Sequence, residues 1–421
     1  MLMEEVLRRE NVHRAYKRVV RNAGAPGVDG MTVDELMPWC REHWARVREE
    51  LLCGRYHPQP VLRVEIPKPG GSGVRLLGIP TVVDRLIQQA LLQALHPIFD
   101  PGFSDSSFGF RPGRSTHQAV LRARQHMRAG FRWVVDMDLE KFFDRVNHDT
   151  LMSRVARKVR DKRVLLLIRR FLQAGVLVDG AVSPRSEGTP QGGPLSPLLS
   201  NVLLDELDKE LEQRGHRFVR YADDCNIYVQ SKAAGERVLA SLERFLSKRL
   251  RLKVNRDKSA VDRPWNRTFL GYTVTNLRKA QLRISPKAVS RVKEKIRRIT
   301  ASSRGRSMRS VLKELAPVLR GWVAYFRLAR NDKLLGKLDQ WLRRRLRVIQ
   351  WRHWKTPRTR LRRLKAAGVH DVVAAMAAYS GRGPWACSAM GAINTAMSNR
   401  TLESMGLVSL QQEHRRLART R

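Results

Sequence analysis

Two adjacent carboxylates, Asp223 and Asp224, stand between short runs rich in β-branched and aromatic residues, Phe218-Val219-Arg220-Tyr221 before them and Cys225-Asn226-Ile227-Tyr228-Val229 after. Runs of this kind around an acidic pair spell a β-hairpin with carboxylates at its turn. Neighbouring aspartates repel, so a fold that clusters them usually has a cation to hold there. With a third carboxylate from elsewhere, the site would suit two magnesium ions clamping a phosphoryl transfer. Asp is also an ordinary turn residue. The hairpin alone therefore leaves a metal site and a solvated turn both open.

A source for the third carboxylate is the stretch Trp133-Val134-Val135-Asp136-Met137-Asp138-Leu139-Glu140-Lys141-Phe142-Phe143-Asp144. Trp133 to Leu139 reads as a strand whose period of two puts Val134, Asp136 and Asp138 on one face and Trp133, Val135, Met137 and Leu139 on the other. A carboxylate ending a mostly apolar strand is costly to bury unpaired, although an Asp there can also cap a following helix. Spacing does not choose between Asp138 and Asp144. Lys68 and Arg75 bracket the turn Pro67-Lys68-Pro69-Gly70-Gly71-Ser72-Gly73-Val74-Arg75, where two cations at a hairpin tip can clamp phosphates or simply face water. Phe108-Gly109-Phe110-Arg111-Pro112-Gly113-Arg114-Ser115 mixes aromatic, glycine and arginine residues suited to a nucleic-acid backbone. In Glu187 to Asn201, glycines permit close backbone approach to a base pair, and Gln191 can hydrogen-bond to sugar or base.

The elements that must position these residues follow from periodicity and punctuation. Residues 4–55 read as helical, interrupted by Asn22 to Gly30, where three glycines and a proline demand a loop. Thr32 and Glu35 form a plausible capping box. Val61 to Pro67 and Leu76 to Pro80 read as paired strands, and Asp84 to Leu95 as an amphipathic helix. Helices are expected over Thr116 to Arg128, Thr150 to Gly175, the stretch ending near Gln213, and Ala233 to Arg249. A strand is expected over Phe269 to Val274. From Ser285 acids thin out and amphipathic helices dominate, with Trp341, Trp351 and Trp354 threaded among arginines. Such threading suits a folded RNA surface, or a bundle with tryptophans inside and arginines in water.

The 421 residues carry 81 Lys and Arg against 39 Asp and Glu, a formal charge of +42 that points to a polyanionic partner. A hydrophobic fraction of 42% excludes a disordered basic tail; charge alone leaves a ribosome-associated or histone-like binder open. The four scattered cysteines, with no C-x-x-C pair, argue against a zinc or disulfide framework and for a reducing compartment. The acidic start lacks the regions of a signal peptide, and no apolar run spans a bilayer, so a cytoplasmic, nucleic-acid-associated protein without a membrane is expected.

Taken in order, these blocks resemble group II intron-encoded reverse transcriptases that double as maturases, and the resemblance covers nearly the whole chain. Asn22–Gly30 is similar to the family's N-terminal extension motif, Phe108–Ser115 to its second block, Asp138–Asp144 to polymerase motif A, Glu187–Asn201 to motif B, Tyr221-Ala222-Asp223-Asp224 to motif C, and Phe269–Val274 to the primer grip. The resemblance implies an α+β right-hand polymerase: fingers, an antiparallel palm sheet packed on helices, then an α-helical thumb or maturase domain. The expected divisions are 1–85 for the N-terminal extension and start of the fingers, 86–284 for the remaining fingers and palm, 285–365 for the thumb or maturase domain, and 366–421 for a short basic region open to a DNA-binding role. The family's metal-binding aspartate stands five residues before an aromatic that blocks the ribose 2′-hydroxyl, which selects Asp138 as ligand and Phe143 as gate. The resemblance implies two magnesium ions held by Asp138, Asp223, Asp224 and the Leu139 carbonyl, and nucleotide contacts from Lys68, Arg75, Phe143, Gln191 and Lys258. Lys258 would act as a general acid for pyrophosphate or as a further phosphate cation. The implied activity is RNA-directed DNA polymerisation in retrohoming, with maturase assistance to splicing. Its implied partners are group II intron RNA, an RNA template with a DNA primer, deoxynucleoside triphosphates and target DNA. Beyond residue 371 the chain has only Cys387 and His414, so the HNH endonuclease of many relatives is not expected.

Overall fold

Alternating β-branched and aromatic residues build a sheet around the acidic hairpin, and leucine-rich helices bury its back. The computed structural model describes residues 1–67, 73–178, 181–183, 187–189, 192–301 and 305–419. They form two units, Met1–Arg267 and Thr268–Arg421.

The first unit runs α1 (Leu2–Val6), α2 (Arg9–Asn22), α3 (Leu36–Leu52), β1 (Val61–Pro67), β2 (Val74–Ile79), α4 (Val82–Phe99), α5 (Thr116–Arg128), β3 (Trp133–Met137), α6 (His148–Val155), α7 (Lys162–Gln173), β4 (Val176–Val178), β5 (Ala181–Ser183), α8 (Ser196–Gln213), β6 (Arg217–Tyr221), β7 (Asp224–Val229), α9 (Lys232–Phe245) and β8 (Ala260–Asp262). One sheet has the order β2-β1-β4-β5 and the other, the palm sheet, β6-β7-β3-β8. The palm sheet is antiparallel throughout. Val135 and Met137 of β3, Cys225 and Ile227 of β7 and Phe218 of β6 join one core with Leu203, Leu204 and Leu207 of α8 and Leu86 and Leu91 of α4. Removing such side chains from water supplies roughly 1.5–3 kcal/mol apiece before entropy is counted. Both α4 and α8 are buried on most of their circumference, as interior helices must be.

Several boundaries differ from those the sequence suggests. β3 ends at Met137, not Leu139, because the Asp138 backbone is taken by a loop: its N–H donates to Ser259 Oγ (3.0 Å) and its carbonyl accepts from the Asn255 N–H (2.8 Å). The expected helix from Thr150 to Gly175 is two, because Asp161 caps α7 by accepting the Arg163 N–H (3.1 Å). The helix expected to reach Arg249 ends at Phe245 and continues as a π-helical turn, Leu246–Leu250, that keeps both leucines buried. Thr32 and Glu35 form half a capping box: the Glu35 carboxylate accepts from the Thr32 N–H and hydroxyl (both 2.7 Å), but α3 starts only at Leu36.

The second unit opens with the hairpin β9 (Tyr272–Val274) and β10 (Leu282–Ile284). Helices follow: α10 (Pro286–Ala301), α11 (Met308–Tyr325), α12 (Asp332–His353), α13 (Pro357–Ala366), α14 (Asp371–Ala378), α15 (Pro384–Cys387), α16 (Gly391–Ala396), α17 (Asn399–Ser404) and α18 (Leu410–Arg419). The tryptophans divide between the two roles the sequence allows. Trp351 and Trp354 are core residues. Trp341 is half-buried, with Lys293, Arg297 and Arg345 each within 6 Å of its ring centre. Buried Asp339 of α12 ties down α18, accepting from Ser409 Oγ (2.8 Å) and the N–H groups of Leu410 and Gln411 (2.9 and 3.1 Å).

Candidate active site

The register pairing Tyr221 with Asp224 leaves a two-residue loop, Ala222-Asp223, at the tip of the hairpin. Ala222 has φ +58°, a conformation disfavoured for a residue with a Cβ, so neighbouring structure must impose it. Arg220 does so from inside the protein. It is fully buried, and all five guanidinium N–H donors are used: two on Asp208 (2.7 and 2.5 Å), one each on Asn201 Oδ1 (2.9 Å), Ser107 Oγ (2.8 Å) and the Ala222 carbonyl (2.9 Å). Gly109 lies directly against the loop; a Cβ there would stand 2.3 Å from the Ala222 nitrogen.

Asp138 reaches the same place from β3. Met137 pairs with Cys225, so continuing the register by one residue brings Asp138 level with Asp224. The Oδ2 of Asp138 is covered yet receives no hydrogen bond, and the Lys258 ammonium stands 3.4 Å from it. Asp224 lies in a concentrated negative field. Burial, then the charges of Asp136, Asp223 and Asp138, hold its carboxyl well above the usual carboxylate range. Burial likewise raises Asp136, opposed by Arg267, whose Nε and Nη2 both reach Asp136 Oδ2 (2.7 and 2.6 Å).

A cleft of about 1480 Å³ is lined by Asp138, Leu139, Phe143, Asp144, Asp223 and Lys258, together with Phe110, Gly192 and Gly193. Of the residues singled out in the sequence, the structure thus brings Asp138, Leu139, Phe143, Asp223 and Lys258 to one cavity, with Asp224 beside it. Lys68 and Gln191 lie outside the described residues. For Arg75 the backbone alone is described, on β2 opposite Ile66. Phe143 sits in a single 3₁₀ turn, and its carbonyl accepts the Thr189 N–H (2.6 Å). Gly188 allows that contact: at φ +88° it lies so close that a Cβ would meet the Asp144 carbonyl oxygen at 2.9 Å. Phe110 lies within the Phe108–Ser115 stretch that the sequence offers for nucleic-acid contact, but was not singled out in it. It is 47% exposed, with φ +59°, and an aromatic ring held in a strained backbone on a cleft wall was not legible from spacing.

Among the described residues no three His, Cys, Asp or Glu side chains form a ready-made metal cage. The donors present nevertheless fit a hard divalent cation. Asp138 offers an oxygen without a hydrogen bond, Asp223 faces the same cavity, and the surplus of negative charge around Asp224 needs an opposite charge. Small divalent cations in phosphoryl-transfer sites characteristically use one or two carboxylates and complete their shell with substrate phosphates and water.

Residues 66–274 match the family model described as reverse transcriptase (RNA-dependent DNA polymerase), and residues 289–368 match the group II intron, maturase-specific domain. The chain is 35% identical over 279 residues to protein YkfC of Escherichia coli (strain K12), an alignment covering 57% of this chain and 73% of that one. The chain belongs to the group II intron reverse transcriptase and maturase family. It is also 39% identical over 219 residues to the group II intron-encoded protein LtrA of Lactococcus lactis subsp. cremoris, across 52% of this chain and 36% of that relative. The chain therefore spans about a third of LtrA's length. Among solved structures, the partial Cas6-RT-Cas1–Cas2 complex aligns with a TM-score of 0.39 at 24% identity, over 59% of this chain and 43% of that one. The stretch that resembles motif C, Tyr221–Asp224, lies at the tip of the β6–β7 hairpin of the palm sheet, and the stretch that resembles motif A, Asp138–Asp144, begins where β3 ends. Reverse transcriptases generally use divalent metal ions.

Proposed function

We propose that this protein copies RNA into DNA by nucleotidyl transfer and acts as a maturase on the group II intron RNA that encodes it. The observation that carries the reading is the convergence of Asp138 and Asp223 on one cleft with Phe143 and Lys258 on its walls. Asp138, Asp223, Asp224 and the Leu139 carbonyl would hold two magnesium ions. When bound, these would lower the pKa of the primer 3′-hydroxyl and offset charge on the departing pyrophosphate. Phe143 closes the space a ribose 2′-hydroxyl would occupy. Lys258 serves the triphosphate as proton donor or counter-charge, and Lys68, Arg75 and Gln191 orient the incoming nucleotide and its base pair. The matched maturase-specific region and the cation-ringed Trp341 support intron RNA as the bound partner. The RNA template with its DNA primer, deoxynucleoside triphosphates and a DNA target complete the set, in a cytoplasmic setting.

The test is Asp223→Ala in primer extension on an RNA template with a DNA primer. Extension should vanish while binding to intron RNA persists. Extension at the wild-type rate would overturn the assignment of the metal-binding carboxylates.

A further inference from the structure

We propose that Arg267 is a positioning residue for nucleotidyl transfer: it fixes where Lys258 stands against Asp138. The inference rests on the reading of Lys258 as a group acting on the nucleotide's phosphates. Arg267 follows β8 and is the last residue of the first unit. Its Nε and Nη2 both lie on Asp136 Oδ2 (2.7 and 2.6 Å), and Nη2 also donates to the Lys258 carbonyl (2.7 Å). One guanidinium therefore joins β3 to the loop that carries the lysine.

The Lys258 side chain is long and 66% exposed, and among the described residues its one close charge contact is Asp138 Oδ2 at 3.4 Å. Such a chain has many rotamers, so the position of its ammonium depends on how firmly its backbone is held. Two anchors hold that backbone. The first is the turn in which the Lys258 and Ser259 N–H groups both donate to the Asn255 carbonyl (3.3 and 2.9 Å), while Ser259 Oγ accepts from the Asp138 N–H (3.0 Å). The second is Arg267. The planar fork matters, because an ammonium is a point charge and cannot reproduce contacts on two fixed acceptors with the same geometry. Arg267 also supplies the positive charge that opposes the crowding of Asp136 against Asp224.

The experiment is a double-mutant cycle on single-nucleotide incorporation with the full chain, an RNA template and a DNA primer, using Lys258→Ala, Arg267→Lys and the pair. Arg267→Lys retains the charge beside Asp136 and should melt close to the wild type. Its kcat should fall on the order of 10- to 100-fold, the scale of a small displacement at a reacting centre, with KM nearly unchanged. In the Lys258→Ala background the same change should cost almost nothing more, because the group it positions is gone. A merely structural arginine would give losses that multiply. Multiplying losses, or a wild-type kcat for Arg267→Lys, overturn the inference and leave the Lys258 role standing. A wild-type kcat for Lys258→Ala overturns both. If Arg267→Lys fails to fold, Arg267→Gln with Asp136→Asn removes both charges and is read by the same criteria.

Discussion

A ring can reject a 2′-hydroxyl only if the backbone carrying it does not yield when the wrong sugar pushes. Phe143 meets that condition through its carbonyl, bound to the Thr189 N–H, and through edge-on packing against Phe142 at 5.2 Å between ring centres. Phe143→Ala should reduce discrimination against ribonucleotides by roughly 10- to 200-fold, the range one steric contact in a pocket supplies. Competitive incorporation of ribo- and deoxyribonucleotides on one template measures it; an unchanged ratio would reject the gate. The placement of single residues was readable where type and spacing coincide, as for Asp223 and Asp224 at the turn of the hairpin. Asp138 and Asp144 could not be separated by spacing, and in the structure both line the cleft. Arg267 was invisible to sequence reasoning because its partner, Asp136, lies 131 residues earlier, and a lone arginine in a chain this basic carries no signal.

The β6–β7 hairpin depends on a charge hidden behind it. Arg220 occupies a strand position where an arginine would ordinarily be assigned to water, and the sequence offers no sign that Asp208 on α8 turns it inward. The pair is fully buried, so Arg220→Met should destabilise the first unit by about 3–5 kcal/mol, because Asp208 is left without a counter-charge. Adding Asp208→Leu should recover much of that stability in denaturant unfolding, since a buried ion pair is often replaceable by apolar groups. Primer extension should not return, because the Ala222 carbonyl still lacks the donor that holds the loop. Full recovery of extension would assign Arg220 to stability alone. Strand identity on both sides of the acidic pair was legible from β-branched and aromatic content. The end of β3 was not, because Ser259 and Asn255, which capture the Asp138 backbone, lie over a hundred residues downstream.

At the scale of the whole chain, the charge of +42 was the plainest signal in the sequence. Binding to intron RNA should weaken by roughly 10³- to 10⁵-fold between 50 and 200 mM salt if 6–10 phosphates are contacted. Filter binding across that range is the check, and a flat response would overturn the electrostatic reading. No helix among the described residues is long and apolar enough to cross a membrane. The palm sheet has a further property that follows from how its outer strands finish. The open side of β6 is already engaged at Arg220, whose N–H donates to the Ser106 carbonyl and whose carbonyl accepts the Phe108 N–H (both 2.9 Å), and β8 at the opposite side is only three residues long. A strand ladder with one rail occupied and the other this short gives a second chain little to pair with. The layer that carries the carboxylates is thereby guarded against edge-to-edge pairing with another sheet.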